Sequence, residues 1–256
     1  MLRLFSWNVN GIRAAKKKGL LNWLHAAQPD VLCLQEIKAE PDQLEDDLRQ
    51  PDGYHSYWAV PSVKKGYSGV ALYTRVEPKN IQIGLGIAEY DAEGRTIVAD
   101  YGEFLLIGAY FPNGSRDHSR VPFKMAYKAA FLDYCEKRRA EGRSIIFCGD
   151  VNTAHREIDL ARPEENQNTT GFLPIERAWI DEVVARGYID TFRALHPDQA
   201  GAYTYWPFWR NSRERNVGWR IDYFFITPDL RDRVVAADIH SDVTGSDHCP
   251  ISLTLR

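Results

Sequence analysis

A chain of 256 residues with ordinary apolar and aromatic content can bury one sizeable core, so a single domain spanning residues 1–256 is expected. The formal net charge of -3 shows no basic footprint, which argues against a pure nucleic-acid-binding module but not against an enzyme whose acids cluster around cations. No apolar run approaches the roughly 18 residues of a membrane span, and the first five residues lead straight into strand-like sequence. A soluble protein that is not exported is expected, with no membrane partner. Cys33, Cys135, Cys148 and Cys249 sit in apolar surroundings without paired spacing, and read as small core residues in a reducing compartment rather than disulfide partners or zinc ligands.

In chain order, residues 2–7 read as a buried strand that stops at Asn8-Val9-Asn10-Gly11. An amphipathic helical stretch follows, with Leu20, Leu21 and Leu24 on one side, Arg13, Lys16, Lys17 and Lys18 elsewhere, and Pro29 closing it. A second apolar strand, Val31-Leu32-Cys33-Leu34, ends in Gln35-Glu36. Residues 40–49 predict a short acidic surface helix, and residues 53–59 and 69–75 predict strands on either side of Lys64-Lys65-Gly66-Tyr67-Ser68. Gly84-Leu85-Gly86 lacks the third glycine and the lysine of a phosphate-binding loop and is set aside.

Residues 96–101 and 104–110 predict a hairpin around Gly102, after which Phe111-Pro112-Asn113-Gly114 turns the chain. Val121, Met125, Phe131, Leu132 and Cys135 recur at helical spacing up to Gly142. That helix leads into Ser144-Ile145-Ile146-Phe147-Cys148-Gly149, a strand that delivers Asp150 and Asn152 to a rim. Residues 156–173 read as irregular, 177–186 as a helix, and 203–215 interleave aromatics with arginines. Residues 219–226, 234–240 and 251–255 read as closing strands. Segments 5–10 and 147–152 share one layout, as if two halves of the fold were built alike.

Four strands thus end in polar groups: Asn8 with Asn10, Glu36, Asn113 after Tyr110, and Asp150 with Asn152. Two others begin with them, Asp222 before Tyr223-Phe224-Phe225-Ile226, and Ser246-Asp247-His248 before Ile251. If all meet at one edge the sheets are mixed or antiparallel, unlike a doubly wound parallel fold. Two like charges about 4 Å apart repel by about 4 kcal/mol at an effective dielectric near 20, so a cation, a proton or a histidinium must offset the clustered acids. Amide and carboxylate oxygens without clustered Cys or His favour Mg²⁺, with Mn²⁺ as substitute, over Zn²⁺. Asp222 and His248 have the makings of a carboxylate-oriented imidazole. The plain alternative for any one of these acids is a surface ion pair.

These segments resemble the exonuclease III family of apurinic/apyrimidinic (AP) endonucleases. The resemblance runs from residue 4 to 250 through Ser6-Trp7-Asn8-Val9-Asn10-Gly11, Leu34-Gln35-Glu36-Ile37-Lys38, Gly66-Tyr67-Ser68-Gly69-Val70-Ala71, Gly149-Asp150-Val151-Asn152, Gly171-Phe172-Leu173-Pro174, Asn216-Val217-Gly218-Trp219-Arg220-Ile221-Asp222-Tyr223 and Gly245-Ser246-Asp247-His248-Cys249-Pro250. It implies an α/β (α+β) four-layer sandwich of deoxyribonuclease I type, two mixed β-sheets packed face to face with helices outside. It further implies Glu36 as direct metal ligand, with Asn8, Asn10 and Asp247 beside it and Asp150, Asn152 and His248 around the metal. Some members carry aspartate where this chain has Asn10.

By the same resemblance Asp150, supported by Asn152, deprotonates the attacking water, Tyr110, Asn152 and His248 contact phosphate oxygens, and Asp222 holds His248. Tyr205, Trp219 and Ile221 would form the pocket for a base-free sugar. Arg13, Lys38, Gly66, Tyr67, Asn113, Arg116 and Asn166 would touch the DNA strands, mostly at phosphates. Pro207-Phe208-Trp209-Arg210 follows no fixed family pattern, and an exposed Trp209 beside Arg210 suits insertion into the gap left by an everted nucleotide.

The activity implied is Mg²⁺-dependent cleavage 5′ to an abasic site in double-stranded DNA during base excision repair, leaving a 3′-hydroxyl. Removal of 3′ blocks, 3′-5′ exonuclease activity and incision at damaged or deaminated nucleotides would accompany it. A monomer is expected, in the cytoplasm at the nucleoid of a prokaryote or in a nucleus. Two alternatives stand beside this reading: a same-fold phosphoesterase acting on inositol phosphates or sphingomyelin, and a DNA-binding protein with a dead site. The former would hydrolyse soluble phosphate esters and leave duplexes intact; the latter would bind without Mg²⁺-dependent cleavage.

Overall fold

The computed structural model describes residues 1–256. The chain begins with β1 (Leu2–Asn8), α1 (Ile12–Lys17), α2 (Leu20–Ala27), β2 (Val31–Gln35), α3 (Asp46–Arg49), β3 (His55–Ala59) and β4 (Val70–Thr74). The middle carries β5 (Asn80–Ile83), α4 (Ala88–Asp91), β6 (Thr96–Asp100), β7 (Leu105–Tyr110), α5 (Val121–Ala140) and β8 (Ile145–Asp150). The last third holds α6 (Pro163–Asn166), α7 (Pro174–Ala185), β9 (Ile189–Asp190), α8 (Thr191–Leu195), β10 (Asp222–Ile226), β11 (Val234–Ile239) and β12 (Ile251–Leu255).

The strands form two six-stranded sheets, ordered β11-β12-β1-β2-β4-β3 and β5-β6-β7-β8-β10-β9. Both are mixed: β1 pairs with β2, and β7 with β8, in parallel, while every other pairing is antiparallel. The inner faces meet in a core of 20 buried residues, among them Leu4, Val31, Cys33, Leu72, Leu106, Ile146, Cys148 and Phe224. Outside the first sheet, Trp7, Leu32 and Leu34 pack on Ile12, Leu20 and Leu24 of the helices. Outside the second, Ile107 and Phe147 pack on Phe131 of α5 and Trp179 of α7. The four-layer sandwich expected from the resemblance is therefore present, with all four cysteines buried and unpaired.

Several expected elements differ in detail. The first amphipathic stretch is two helices, because Gly19 turns left-handed at φ 101° between them. The acidic stretch at 40–49 splits into a 3₁₀ turn (Pro41–Gln43) and α3. The helix expected at 177–186 starts earlier, at Pro174, and the strand expected at 219–226 starts only at Asp222. β5 and β9 were not anticipated; both are short edge strands with little apolar patterning. The two look-alike segments lie in opposite sheets, where β1 and β8 face each other, and chain connectivity relates β1 to β7 rather than to β8.

This topology aligns the polar rim. In the second sheet Tyr110 pairs with Asp150, and Asp150 with Asp222, so three strands deliver their ends in one row. In the first, Asn8 pairs with Gln35, which puts Glu36 one residue past the neighbouring strand end.

Candidate active site

At the end of β2 the chain must leave the sheet abruptly, and Glu36 and Lys38 both adopt left-handed backbone conformations, at φ 56° and 53°. Such a conformation costs a non-glycine residue of order 1–2 kcal/mol. It persists because hydrogen bonds from neighbouring segments fix it: Gly11 N donates to Glu36 O at 2.8 Å, and Lys38 N to Ser68 O at 3.0 Å. Asn10 and Asn152 are also left-handed, at φ 45° and 53°. Four rim residues in this sparsely populated region place their side chains where a regular strand would not. Gly149 makes the other tight corner, since a Cβ there would lie 1.8 Å from Ala109 O of β7.

One side chain ties the two sheets together. Asn8 Nδ2 donates to Glu36 Oε2 at 3.1 Å and to Asp150 Oδ2 at 2.9 Å. Asn10 Nδ2 donates to Asp247 Oδ1 at 3.0 Å, while Asn8 Oδ1 accepts from Asn10 N at 2.9 Å. Lys38 Nζ reaches Asn10 Oδ1 at 2.5 Å and Glu36 Oε1 at 2.8 Å. Asp150 accepts from Asn152 N at 2.8 Å and from Asn152 Nδ2 at 3.1 Å; Asn152 Oδ1 in turn accepts from Asn113 Nδ2 at 3.1 Å.

The imidazole of His248 lies behind this cluster, with Nδ1 2.8 Å from Asp222 Oδ2, which also accepts from Thr204 Oγ1 at 2.6 Å. Its Nε2 lies 3.9 Å from Asp150 Oδ2. Burial alone would lower the His248 pKa, but Asp222 and Asp150 outweigh it and raise it to about 10, so the ring is an imidazolium at neutral pH. Asp150 is pushed up to about 7, chiefly because burial disfavours its charge, with Asp222 adding and His248 and Asn8 opposing. A carboxylate titrating there can accept a proton from water near neutrality. Burial, followed by the Glu36 and Asp150 charges, raises the Tyr110 phenol well above its usual value, so it stays a donor.

The donor set suits a hard cation. As ligands, Glu36 and Asp247 offer carboxylate oxygens and Asn8 and Asn10 amide oxygens, and Glu36 and Asn10 already hold the positive charge of Lys38, whose place a divalent ion could take. The deeper trio of Asp150, Asp222 and His248 has ligand atoms within 4.8 Å of one another but fits an ion poorly. There the Asp222 carboxylate is engaged by the ring, and the ring is already cationic.

Glu36, Asn10, Tyr110, Asp150, Asn152, Asp247 and His248 line a cleft of about 530 Å³ that also takes in Lys38, Asn113, Asn166, Tyr205, Trp209, Trp219 and Ile221, whereas Asn8 is fully buried and outside the lining. Tyr205 and Trp219 pack against a small apolar cluster of Ala154, Leu160, Phe172 and Ile221. The Tyr205 ring also leans on His248 at 4.9 Å between centroids. Trp209 is 63% exposed at the mouth, and Phe208 beside it 71%. Tyr67 lies in an adjoining hollow shared with Tyr110, Asn113 and Arg120. Arg13, Gly66, Arg116 and Arg210 are exposed and outside the cleft lining, and Asp222 stands behind His248 rather than in it.

Sequence reasoning missed three groups. Thr204 orients Asp222, and fully buried Arg95 donates to Tyr67 Oη at 2.8 Å and to Tyr110 O at 3.0 Å. Lys124, a helix residue with no exposed surface, donates to Asn152 O at 2.6 Å. For Lys124 a signal existed: with Tyr127, Lys128, Phe131 and Cys135 it falls on the helix face that packs on the sheet.

Carboxylates, amides and one imidazolium brought to a shared cleft by the facing edges of two mixed sheets define a phosphodiesterase of nuclease type with a deoxyribonuclease I-like fold. The chain belongs to the Endonuclease/Exonuclease/phosphatase family, whose model matches residues 5–248. It is 42% identical to the DNA repair nuclease APEX1 of Danio rerio over 255 residues, 99% of this chain and 82% of that protein. It is 41% identical to the exodeoxyribonuclease of Bacillus subtilis over 256 residues, the full length of both. An AP endonuclease structure from Archaeoglobus fulgidus superposes with a TM-score of 0.89 at 30% identity, covering 100% of this chain and 99% of that one.

Proposed function

We propose that the chain is a Mg²⁺-dependent AP endonuclease whose single catalytic domain, residues 1–256, cleaves duplex DNA on the 5′ side of an abasic site, leaving a 3′-hydroxyl, and also clears blocked 3′ ends. The observation that carries this reading is that one cleft is lined both by the Glu36, Asp150 and His248 cluster and by the apolar wall of Tyr205, Trp219 and Ile221. A scissile phosphate and a sugar without its base fit such a cleft side by side, whereas a soluble inositol phosphate has no use for the apolar wall.

In-line attack on a phosphodiester needs an oriented water, charge stabilisation on the phosphoryl oxygens and help for the leaving 3′-oxygen. Asp150, held by both nitrogens of Asn152, takes the proton of the water. The His248 imidazolium, kept charged by Asp222, and the Tyr110 phenol donate to the phosphoryl oxygens. Glu36, with Asn8, Asn10 and Asp247 beside it, would hold Mg²⁺, or Mn²⁺ in its place, which would supply Lewis-acid stabilisation of the charge developing on the phosphoryl oxygens. Arg13, Lys38, Gly66, Tyr67, Asn113, Arg116, Asn166 and Arg210 receive the strands around the cleft, and Trp209 fills the space of the everted nucleotide. The protein acts as a monomer where DNA is repaired.

The test incubates labelled duplexes carrying an abasic site, a uracil or a normal base, and one ending in a 3′-phosphate, with Mg²⁺ or with chelator. Cleavage at the abasic site, lost with chelator, is expected. Hydrolysis of soluble inositol phosphates with no cleavage of the abasic duplex would refute the assignment.

A further inference from the structure

Behind the catalytic loop, on the side away from the cleft, an ion pair is sealed between α5 and α7. Lys124 Nζ lies 2.6 Å from Glu176 Oε1, and the two side chains are 1% and 0% exposed. The same ammonium donates to the carbonyl of Asn152, the left-handed residue that buttresses Asp150. Glu176 is saturated from the other side: Oε1 accepts from Thr170 Oγ1 at 2.9 Å, and Oε2 from Gly171 N at 2.5 Å and Leu173 N at 3.0 Å.

Both ends of the pair hold parts of the site. Thr170 and Gly171 line the cleft, and a Cβ on Gly171 would stand 3.2 Å from the Trp219 ring and 3.4 Å from Asn152 O. The backbone therefore passes through a slot between the catalytic loop and the apolar wall. Gly171 O closes the circuit by accepting from Ala154 N at 2.8 Å. Neighbouring Lys128 supports the same loop, with Nζ 2.7 Å from Thr153 Oγ1 and 4.7 Å from the Trp179 ring centroid.

Stability alone gives little reason for such a pair. Well-packed apolar residues of similar volume often replace a buried ion pair neutrally or with a gain, because desolvating two charges offsets most of their attraction. An apolar replacement, however, would leave Asn152 O and three donors of segment 170–173 without partners. The pair adds side-chain links between the two segments to the one backbone hydrogen bond, Ala154 N to Gly171 O, that already joins them.

We infer that Lys124 and Glu176 are positioning residues for phosphodiester cleavage, fixing the Asp150–Asn152 loop and the Gly171–Trp219 wall at one spacing so that the reacting phosphate and its sugar are held in a single register. The inference builds on the abasic-site reading for the identity of the sugar, and on nuclease activity alone for the rate. Neither residue touches substrate; each acts through the backbone it grips.

The experiment compares Lys124→Met, Glu176→Gln and Lys124→Arg with wild type, measuring kcat and KM on the abasic duplex and on a duplex with a 3′-phosphate, well below each protein's unfolding midpoint. Small misplacements of reacting groups are expensive, so kcat should fall about tenfold or more on both substrates for the first two variants, while KM moves less than about threefold. Lys124→Arg, which keeps a long cationic donor, should recover most of the loss. If Lys124→Met does not fold, Glu176→Gln, equal in volume, decides the question. A kcat within about twofold of wild type for Glu176→Gln, whatever its melting temperature, would show a purely structural pair and overturn the proposal. If wild type cleaves only the 3′-phosphate substrate, the abasic reading fails separately, and kcat on that substrate still judges the positioning role.

Discussion

Replacing Asp222 with asparagine tests the electrostatic centre of the site. The wild-type imidazolium owes its pKa of about 10 to carboxylates that overcome burial, Asp222 first and Asp150 second. Asp222 Oδ1 is buried without a hydrogen-bond partner, so little besides the ring and Thr204 compensates the carboxylate. A unit charge about 4 Å away at an effective dielectric near 20 is worth about 4 kcal/mol, and one pKa unit is about 1.4 kcal/mol, so Asp222→Asn should lower the His248 pKa by about 3 units, to about 7. The charged ring exists below its pKa. Wild type therefore keeps it throughout the neutral range and loses it as pH rises through about 10, whereas the variant loses it near neutrality. In the kcat profile on abasic duplex with Mg²⁺, the alkaline limb should move down by those units, and the His248 ring resonances should titrate with it. A linked effect appears in stability. The wild-type ring proton contributes stability fully present below the ordinary value of 6.5 and lost as pH rises through about 10, and the variant should lack most of that decline. Superimposable pH–rate profiles for the two proteins would refute the assigned role of Asp222.

Three further substitutions probe other parts of the site. Asp150→Asn keeps the shape of the loop but removes the proposed base, and should reduce kcat by about 10²–10⁴-fold while duplex affinity in chelator changes little; parallel loss of both would contradict a role in proton transfer. Trp209→Ala should weaken binding to an abasic duplex by about 1–3 kcal/mol, or about 5–150-fold in fluorescence titrations, and unchanged affinity and turnover would remove it as the inserted side chain. Gly149→Ala sets a Cβ against Ala109 O at a φ of 137°, and should destabilise the fold by at least about 3 kcal/mol in urea unfolding; a near-neutral result would mean that β7 and β8 can part at no cost.

Much of the rim was legible because it obeys a local rule: an apolar strand followed at once by an acid or amide. Asn8, Glu36, Asp150 and Asp222 each follow or open such a strand, and the sheet register aligns three of the strand ends in one row. What stayed hidden depends on partners remote in the chain. Lys124 falls on the packed face of its helix, yet what it holds there stays unreadable until Glu176, 52 residues away, meets it in the interior. Thr204 gains its importance only from the carboxylate 18 residues on. Left-handed Glu36 and Asn152 were equally invisible, since the Glu36 carbonyl is held by Gly11 of another loop and the Asn152 carbonyl by Lys124 of a distant helix. The short strands β5 and β9 escaped because four and two residues hold too little pattern to separate them from loops.

Asn8 grows from one sheet and grips an acid belonging to the other, so the reaction centre straddles a seam between two separately hydrogen-bonded halves. Turnover then works as a gauge of how those halves mate. A methyl group added or lost among the side chains sandwiched there would shear the two slabs by fractions of an ångström, and activity should decline well before the protein begins to melt.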